Sequence, residues 1–554
     1  MSRTTAASRE VAAGPTHQLH RSVGFWGLTF FALGSIIGSG WLLGALGAAK
    51  SAGPASLLSW LLAALLLMVL ALIHAELGAA YPVAGGTARF PYFAFGTLAG
   101  FTAGWAAYLQ AVTIAPIEVE ASISYLDSTD WAKQHLHLLN GDGTLTGVGL
   151  LVATVAMLLF TIVNLFGAKL LASSNNVLVI WKLAVPILAV VVILTLNFHL
   201  SNFTAGGGFL PFGMHGVFAA LPAGVVFSLQ GFEQAVQMAG EARNPRKDLS
   251  RAIISAMCIG AAVYIALEVA FIGGLDPKNL AQGWANPIGK GDFGPYYTLA
   301  IAIGAGWLAT ILLIDAVISP GDTGLIYLAT SARLSYALGQ EEVLSDKLTE
   351  TNKHGVPKYS ILLAFVIGEI TFLPFPSWSS LVGLVTGATA IMYAFAPVSL
   401  AALQNRDPDR PRPYRAPFPK VLNPLGFIAA NLIIYWGGFE AMWKLLTAIF
   451  LGRVIFEIAL RRAHDVRRTD IDWRAASWIW PWLIGMTIIG LMGQYGTGSL
   501  KLLPSWIDLL VVVLFSLVMF YYAVSLAMDS DHVREAVQFE EEQVATAPAL
   551  NLPG

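Results

Sequence analysis

The chain has 554 residues, of which 56% are hydrophobic and 12% charged, and a net charge of -2. A soluble protein carries about 25% charged residues, so composition excludes a soluble enzyme, a nucleic-acid binder and a disordered protein. It leaves a polytopic helical membrane protein, and the single cysteine, Cys258, excludes a disulfide framework or a multi-cysteine metal site.

Residues 1–22 are polar and read as a tail without the apolar stretch and small-residue cleavage site of a signal peptide. Measured against about 20 apolar residues per membrane helix, spans fall near 24–49, 55–81, 95–125, 146–166, 176–198, 216–241, 250–275 and 296–320. Further spans fall near 359–375, 378–402, 426–440, 442–460, 477–495 and 505–528. The pair between 426 and 460 reads equally as one long kinked helix, so the total is about 12–14 transmembrane helices. An acidic tail, 529–554, follows. The apolar runs are continuous and do not alternate, which rejects a β-barrel.

Lysine and arginine set the orientation. With the N-terminus inside, the inside loops hold Arg243, Arg246, Lys247 and Arg251, then Arg333, Lys347, Lys353 and Lys358. They also hold Arg406, Arg410, Arg412, Arg415 and Lys420, and Arg461, Arg462, Arg467, Arg468 and Arg474. The outside loops hold little beyond Lys133, Lys278, Lys290 and Lys501. Both termini are therefore expected in the cytoplasm.

Residues 23–200 contain spans 1 to 5, residues 215–403 contain spans 6 to 10, and the additional helices occupy 425–528. Five is odd, so the second block starts on the opposite side of the membrane, as an inverted-topology repeat requires. The first helix of each block is interrupted. Span 1 reads Gly34-Ser-Ile-Ile-Gly38-Ser-Gly40, and span 6 reads Phe227-Ser-Leu-Gln-Gly231-Phe-Glu233. One reading of such glycines is close helix packing. Their occurrence at matching positions of two halves instead points to unwound helices around a midplane binding site.

These segments resemble the amino acid–polyamine–organocation superfamily. The resemblance rests on residues 34 to 41, on Ala75-Glu-Leu-Gly-Ala-Ala-Tyr-Pro-Val-Ala-Gly-Gly86, and on the span 6 break followed by Ala239-Gly-Glu-Ala-Arg-Asn-Pro-Arg-Lys-Asp248. Within the superfamily the chain is similar to bacterial aspartate–proton symporters, through 306–321 and Leu373-Pro-Phe-Pro-Ser-Trp378. The resemblance implies a leucine-transporter-like 5+5 inverted-repeat fold in a bacterial inner membrane. The implied activity is proton-coupled import of an amino acid by alternating access, with aspartate or glutamate as the indicated substrate.

Unpaired N–H groups at a helix N-terminus attract a carboxylate. Ser35, Gly38, Ser39 and Gly40 are the candidates on span 1. On span 6 the freed carbonyls of Phe227, Ser228 and Gly231 could accept from the substrate ammonium. In the family, an aromatic matching Phe227 covers the substrate; otherwise Phe227 is an ordinary core or lipid-facing ring.

Lys182 stands at membrane depth in span 5, where a lysine is a functional-site candidate by default. The alternative is a snorkelling side chain. In proton-coupled relatives a matching lysine takes the place of a sodium ion, and Ser319 on span 8 matches its expected partner. Glu233 is either a cap on freed N–H groups or a proton carrier and helix latch. Asp315, one turn before Ser319, could pair with Lys182 or face a cavity. Glu118, Glu120, Glu268 and Glu369 read equally as residues near span ends. Glu241 with Arg243, Arg246 and Lys247 reads as an inner gate or as a solvated loop, and His74 beside Glu76 as structural or titrating.

No P-loop, dinucleotide fingerprint on a strand, metal-ligand cluster or nucleophilic triad is visible, so no cofactor and no nucleic acid is expected. The partners are an amino acid, a proton and the lipid bilayer; the oligomeric state is open. The competing readings are an amino-acid exchanger, a polyamine or neutral amino acid permease, and a nutrient sensor on a transporter fold.

Overall fold

The computed structural model describes residues 23–546 apart from 84, 167–168, 240–241, 290–292, 341–344, 353, 374–376 and 463–471. Glu241, Lys290, Lys353, Arg467 and Arg468 thus lie outside the described residues. With no water in a bilayer to satisfy the backbone, long apolar runs become helices. Among the described residues there are helices and three isolated β-bridges but no strands.

The first repeat comprises α1 (Phe25–Ile36), α2 (Ser39–Ala52), α3 (Ser56–Ala80), α4 (Gly86–Phe95), α5 (Thr97–Asp127), the short α6 (Asp130–His135), α7 (Gly147–Leu165) and α8 (Lys169–Leu196). The second comprises α9 (Gly213–Ala219), α10 (Val226–Leu229), α11 (Glu233–Gln237), α12 (Pro245–Gly274), α13 (Pro295–Ala302), α14 (Gly306–Gln340), α15 (Lys358–Thr371) and α16 (Trp378–Arg406). After them come α17 (Pro419–Trp436), α18 (Gly438–Arg462), α19 (Ile479–Met492), α20 (Ile507–Ser525) and α21 (Ser530–Thr546). Eight of the helical stretches are long and apolar enough to cross a membrane, with Ser39–Ala80 counted as one; Phe25–Ile36, Gly213–Leu229 and Ile479–Met492 are shorter apolar helices.

The repeats pack by equivalent pairs. Helix α3 runs against α12, and α5 against α14, the second and third spans of one repeat against those of the other. Helices α5 and α16 form the centre, with 94% and 89% of their apolar windows buried, whereas α7 and α20 are only 28% and 33% buried. Leu151, Leu159, Leu510 and Leu514 on these outer helices are exposed, as a lipid-facing surface requires.

One boundary differs from the sequence reading. The eighth span is not 296–320. Gly304, at φ +76°, separates α13 from α14, which then continues through Pro320 to Gln340. A proline lacks the N–H that would bond the carbonyl four residues back. Here that carbonyl, of Ala316, accepts from the Ser122 hydroxyl of α5 at 2.7 Å, so the helix passes the proline with its backbone satisfied. Between 426 and 460, α17 and α18 are separate helices, as the two-span reading has it. Gly438 sits between them at φ +82°, and a Cβ there would stand 2.5 Å from the Gly496 Cα. Only glycine fits both the left-handed backbone and that approach.

Candidate functional site

Both first helices of the repeats are broken, and the breaks meet. Helix α1 ends at Ile36, Ile37 and Gly38 leave helical geometry, and α2 starts at Ser39. In the second repeat α10 ends at Leu229, Gln230 is extended (ψ 162°), Gly231 has φ +117°, and α11 begins at Glu233. A Cβ on Gly231 would lie 2.7 Å from the Ser35 carbonyl carbon, and one on Gly40 would lie 2.7 Å from the Ser228 Cα. The glycines therefore permit the two broken helices to touch backbone to backbone.

A narrow cleft opens beside this contact. Ser35, Gly38, Gly40 and Phe227 line it, together with Glu118, Gln230, Thr323 and Tyr327. The other substrate-site candidates, Ser39, Ser228 and Gly231, stand at the two breaks but are not among the residues that line the cleft. Ser228 turns its hydroxyl to Gly224 O at 2.7 Å, and the Ser39 hydroxyl accepts from Trp378 Nε1 at 3.2 Å. The carbonyls of Phe227 and Gly231 already accept the N–H groups of Gln230 (3.2 Å) and Gln234 (3.1 Å), each with a lone pair to spare. Phe227 stands edge-on to Trp378, with ring centres 5.9 Å apart.

The freed backbone groups of the first break are held by charged side chains. The Ser39 N–H, at the start of α2, donates to Glu118 Oε2 at 2.7 Å. On the other side, the fully buried Lys182 ammonium donates to Gly34 O at 2.7 Å, Thr323 Oγ1 at 2.8 Å and Asp322 Oδ2 at 2.9 Å. An ammonium has three protons, and all three are used. The snorkelling alternative for Lys182 is thereby set aside.

Ser319 is not the partner of Lys182. Its hydroxyl donates to Asp315 Oδ1 at 2.7 Å. Because α14 continues past Pro320, the lysine stem reaches the next turn, at Asp322 and Thr323. Asp315 also accepts from Trp41 Nε1 (3.1 Å) and Trp181 Nε1 (2.7 Å), so it ties α2, α8 and α14 together and is not paired with Lys182. Glu233 caps its own break by accepting the Gly231 N–H at 3.0 Å, and also accepts from Gln110 Nε2 (3.3 Å) and the Tyr393 hydroxyl. It is both cap and latch between α5, α11 and α16.

Elsewhere, Glu76 and the loop after α16 form a separate clasp: Gln404 Nε2 and the Ala416 N–H donate to Glu76, and Arg412 stands 3.5 Å away. His74 is buried between Phe232 and Tyr393, with Nδ1 2.8 Å from Leu70 O, a structural environment. Among the described residues no group of His, Cys, Asp and Glu is arranged to hold a metal ion. Glu118, Asp322, Gln230, Thr323 and Tyr327 are site groups that the sequence reading did not select.

The cleft thus combines a helix N-terminus with a carboxylate bonded to it and an aromatic ring, and a buried ammonium stands behind its wall at Gly34 and Thr323. Comparison with known proteins agrees with that architecture. The fold is similar to that of the nucleobase–cation symport transporter Mhp1 solved in a closed conformation, with a TM-score of 0.53 and 13% identity over 96% of this chain and 98% of that one. In sequence, the chain is 32% identical to the glutamate/serine transporter AimA of Bacillus subtilis, over 95% of this chain and 97% of that protein. It is also 32% identical to the aspartate–proton symporter of the same organism, over 91% and 96%, and 26% identical to its branched-chain amino acid permease BcaP. A family model described as amino acid permease matches residues 23–460, and the chain belongs to that family.

Proposed function

We propose that the protein is a proton-coupled secondary transporter that imports an amino acid by alternating access, with both termini in the cytoplasm of a bacterial cell and the helices in its plasma membrane. The observation that carries the coupling is the Glu118 carboxylate on the Ser39 N–H. An incoming amino acid carboxylate needs the same helix N-terminus. While Glu118 is an anion it competes for that donor and repels the substrate. A proton on Glu118 removes both effects, so substrate and proton load together and leave together. Lys182, held by Gly34, Asp322 and Thr323, keeps the break open in the role of a fixed cation. The spare lone pairs of the Phe227 and Gly231 carbonyls face the substrate ammonium, and Phe227 with Trp378 forms the aromatic cover.

The substrates named for the two relatives at 32% identity, glutamate, serine and aspartate, share one feature beyond the amino acid backbone: a side-chain oxygen that accepts hydrogen bonds. We assign this chain the same class. Uptake of each of the twenty amino acids into proteoliposomes, with and without an inward proton gradient, tests the reading. Gradient-dependent accumulation of acidic or hydroxyl amino acids is expected. Accumulation of none, or accumulation indifferent to the gradient, refutes it.

A further inference from the structure

We infer that Gln230 is the residue that reads the substrate side chain, selecting amino acids whose side chain ends in an acceptor oxygen; this assignment rests on the amino acid transport reading above. Gln230 sits in the span 6 break, where its extended backbone turns the side chain out of the helical register and into the cleft. The amide is 4% exposed. Its Oε1 is fixed by the Thr389 hydroxyl of α16 at 3.0 Å. That contact leaves the Nε2 protons aimed away from α16, and among the described residues no acceptor bonds them. An oriented amide nitrogen is a pure donor.

Most other polar groups of the cleft are committed. Lys182 has spent its three protons. Thr323 Oγ1 accepts from Lys182 and lies 3.3 Å from Gly34 O as a donor to it. The Tyr327 hydroxyl also lines the cleft and is its second donor. Glu118 is an acceptor, and no arginine is among the lining residues. A carboxylate or hydroxyl on the substrate side chain therefore has the Gln230 amide as the donor that the break itself presents, with the Tyr327 hydroxyl beside it. An aliphatic side chain gains nothing from that amide and would leave its N–H protons without a partner.

The test is ligand-induced thermal stabilisation of the purified full-length protein, titrated with glutamate, aspartate, serine, alanine and lysine. Gln230→Leu is expected to shift the ratio of glutamate to alanine affinity by about tenfold or more against glutamate, the size of a lost hydrogen bond to a charged group. Serine should move in the same direction by less. Thr389→Val, which removes the group that orients the amide, should produce a smaller shift of the same sign, and Thr389→Ser should restore the wild-type ratio. Equal weakening of every ligand, or an unchanged ratio, overturns the assignment while leaving the transport reading intact. A wild-type preference for lysine would overturn it too, because it would mean that the amide presents its oxygen. If no amino acid stabilises the wild-type protein, the transport reading itself fails and the assignment falls with it.

Discussion

Replacing Lys182 by alanine tests the centre of the site. The substitution removes the cation paired with Asp322, whose side chain is 5% exposed, and withdraws the donor from Gly34 O and Thr323. Breaking a buried pair by deleting one member costs about 3–5 kcal/mol, because the surviving charge is left uncompensated. That is a large share of an ordinary protein's stability of about 5–15 kcal/mol. The expected result is a markedly lower unfolding temperature in detergent together with loss of uptake driven by a pH gradient. The double substitution Lys182→Met with Asp322→Leu separates the two effects. It replaces the pair by apolar groups of similar bulk, which is often neutral or stabilising, so the unfolding temperature should recover while gradient-driven uptake stays absent. If Lys182→Ala melts like the wild type and still accumulates substrate under a pH gradient, the role given to the lysine is wrong.

Three further substitutions probe neighbouring parts of the site. Glu118→Gln keeps the shape of the carboxylate but cannot exchange a proton; wild-type substrate binding should tighten as pH falls, and in this variant isothermal titration should find it flat, with counterflow retained and gradient-driven accumulation lost. Gly38→Val puts a Cβ 2.7 Å from Glu118 Oε1 and 3.0 Å from Thr323 Oγ1, so binding should disappear in a purified, folded variant; unchanged affinity would reduce the break to a packing feature. Asp315→Ala strips the acceptor from the Trp41 and Trp181 indoles and from Ser319; at about 1–3 kcal/mol for each buried donor left unsatisfied, thermal unfolding should fall sharply, and a melting curve identical to wild type would contradict the arrangement.

The parts of the fold that were legible in the sequence are those with a strong local cause. Apolar runs of bilayer length mark the spans, and glycine clusters within them, at 34–40 and 227–233, mark the breaks. Lys182 announces itself by the cost of burying an ammonium. What was missed has a physical reason in each case. Asp322 was not selected because the eighth span was ended at 320; the helix continues past Pro320, with Ser122, almost two hundred positions away in sequence, donating to the carbonyl that the proline leaves free. Ser319 was named as the partner of Lys182 through the family resemblance. Glu118 was read as a residue near a span end because α5, at 31 residues, is longer than a bilayer requires and its depth is not fixed by length alone. Its proximity to Ser39, 79 positions earlier, is a tertiary fact. A signal was present: a carboxylate inside a run that is otherwise apolar on the same face, with Ser122 and Tyr125 following at helical spacing, both of which reach partners on other helices, Ala316 and Leu42.

The broken helix in the first repeat presents a general difficulty and a particular solution. Unwinding a helix in a membrane exposes carbonyls on one side of the break and N–H groups on the other, and neither can turn to water. An amino acid, with an ammonium and a carboxylate, is the natural complement to such a pair of ends. This chain carries the same two charges on its own side chains: the Lys182 ammonium on the Gly34 carbonyl and the Glu118 carboxylate on the Ser39 N–H. The two are not equivalent. The lysine is locked by an ion pair and a hydroxyl in addition to the carbonyl, whereas among the described residues the Ser39 N–H is the one hydrogen bond to the Glu118 carboxylate from another helix. Substrate binding at this break is therefore an exchange at one end, with the protein's carboxylate giving way to the substrate's, and it leaves the other end fixed. An exchange between two carboxylates at one helix N-terminus changes little in contact energy and much in charge, and a proton is what makes up the difference. Coupling in this design follows from which of the two internal charges is free to leave.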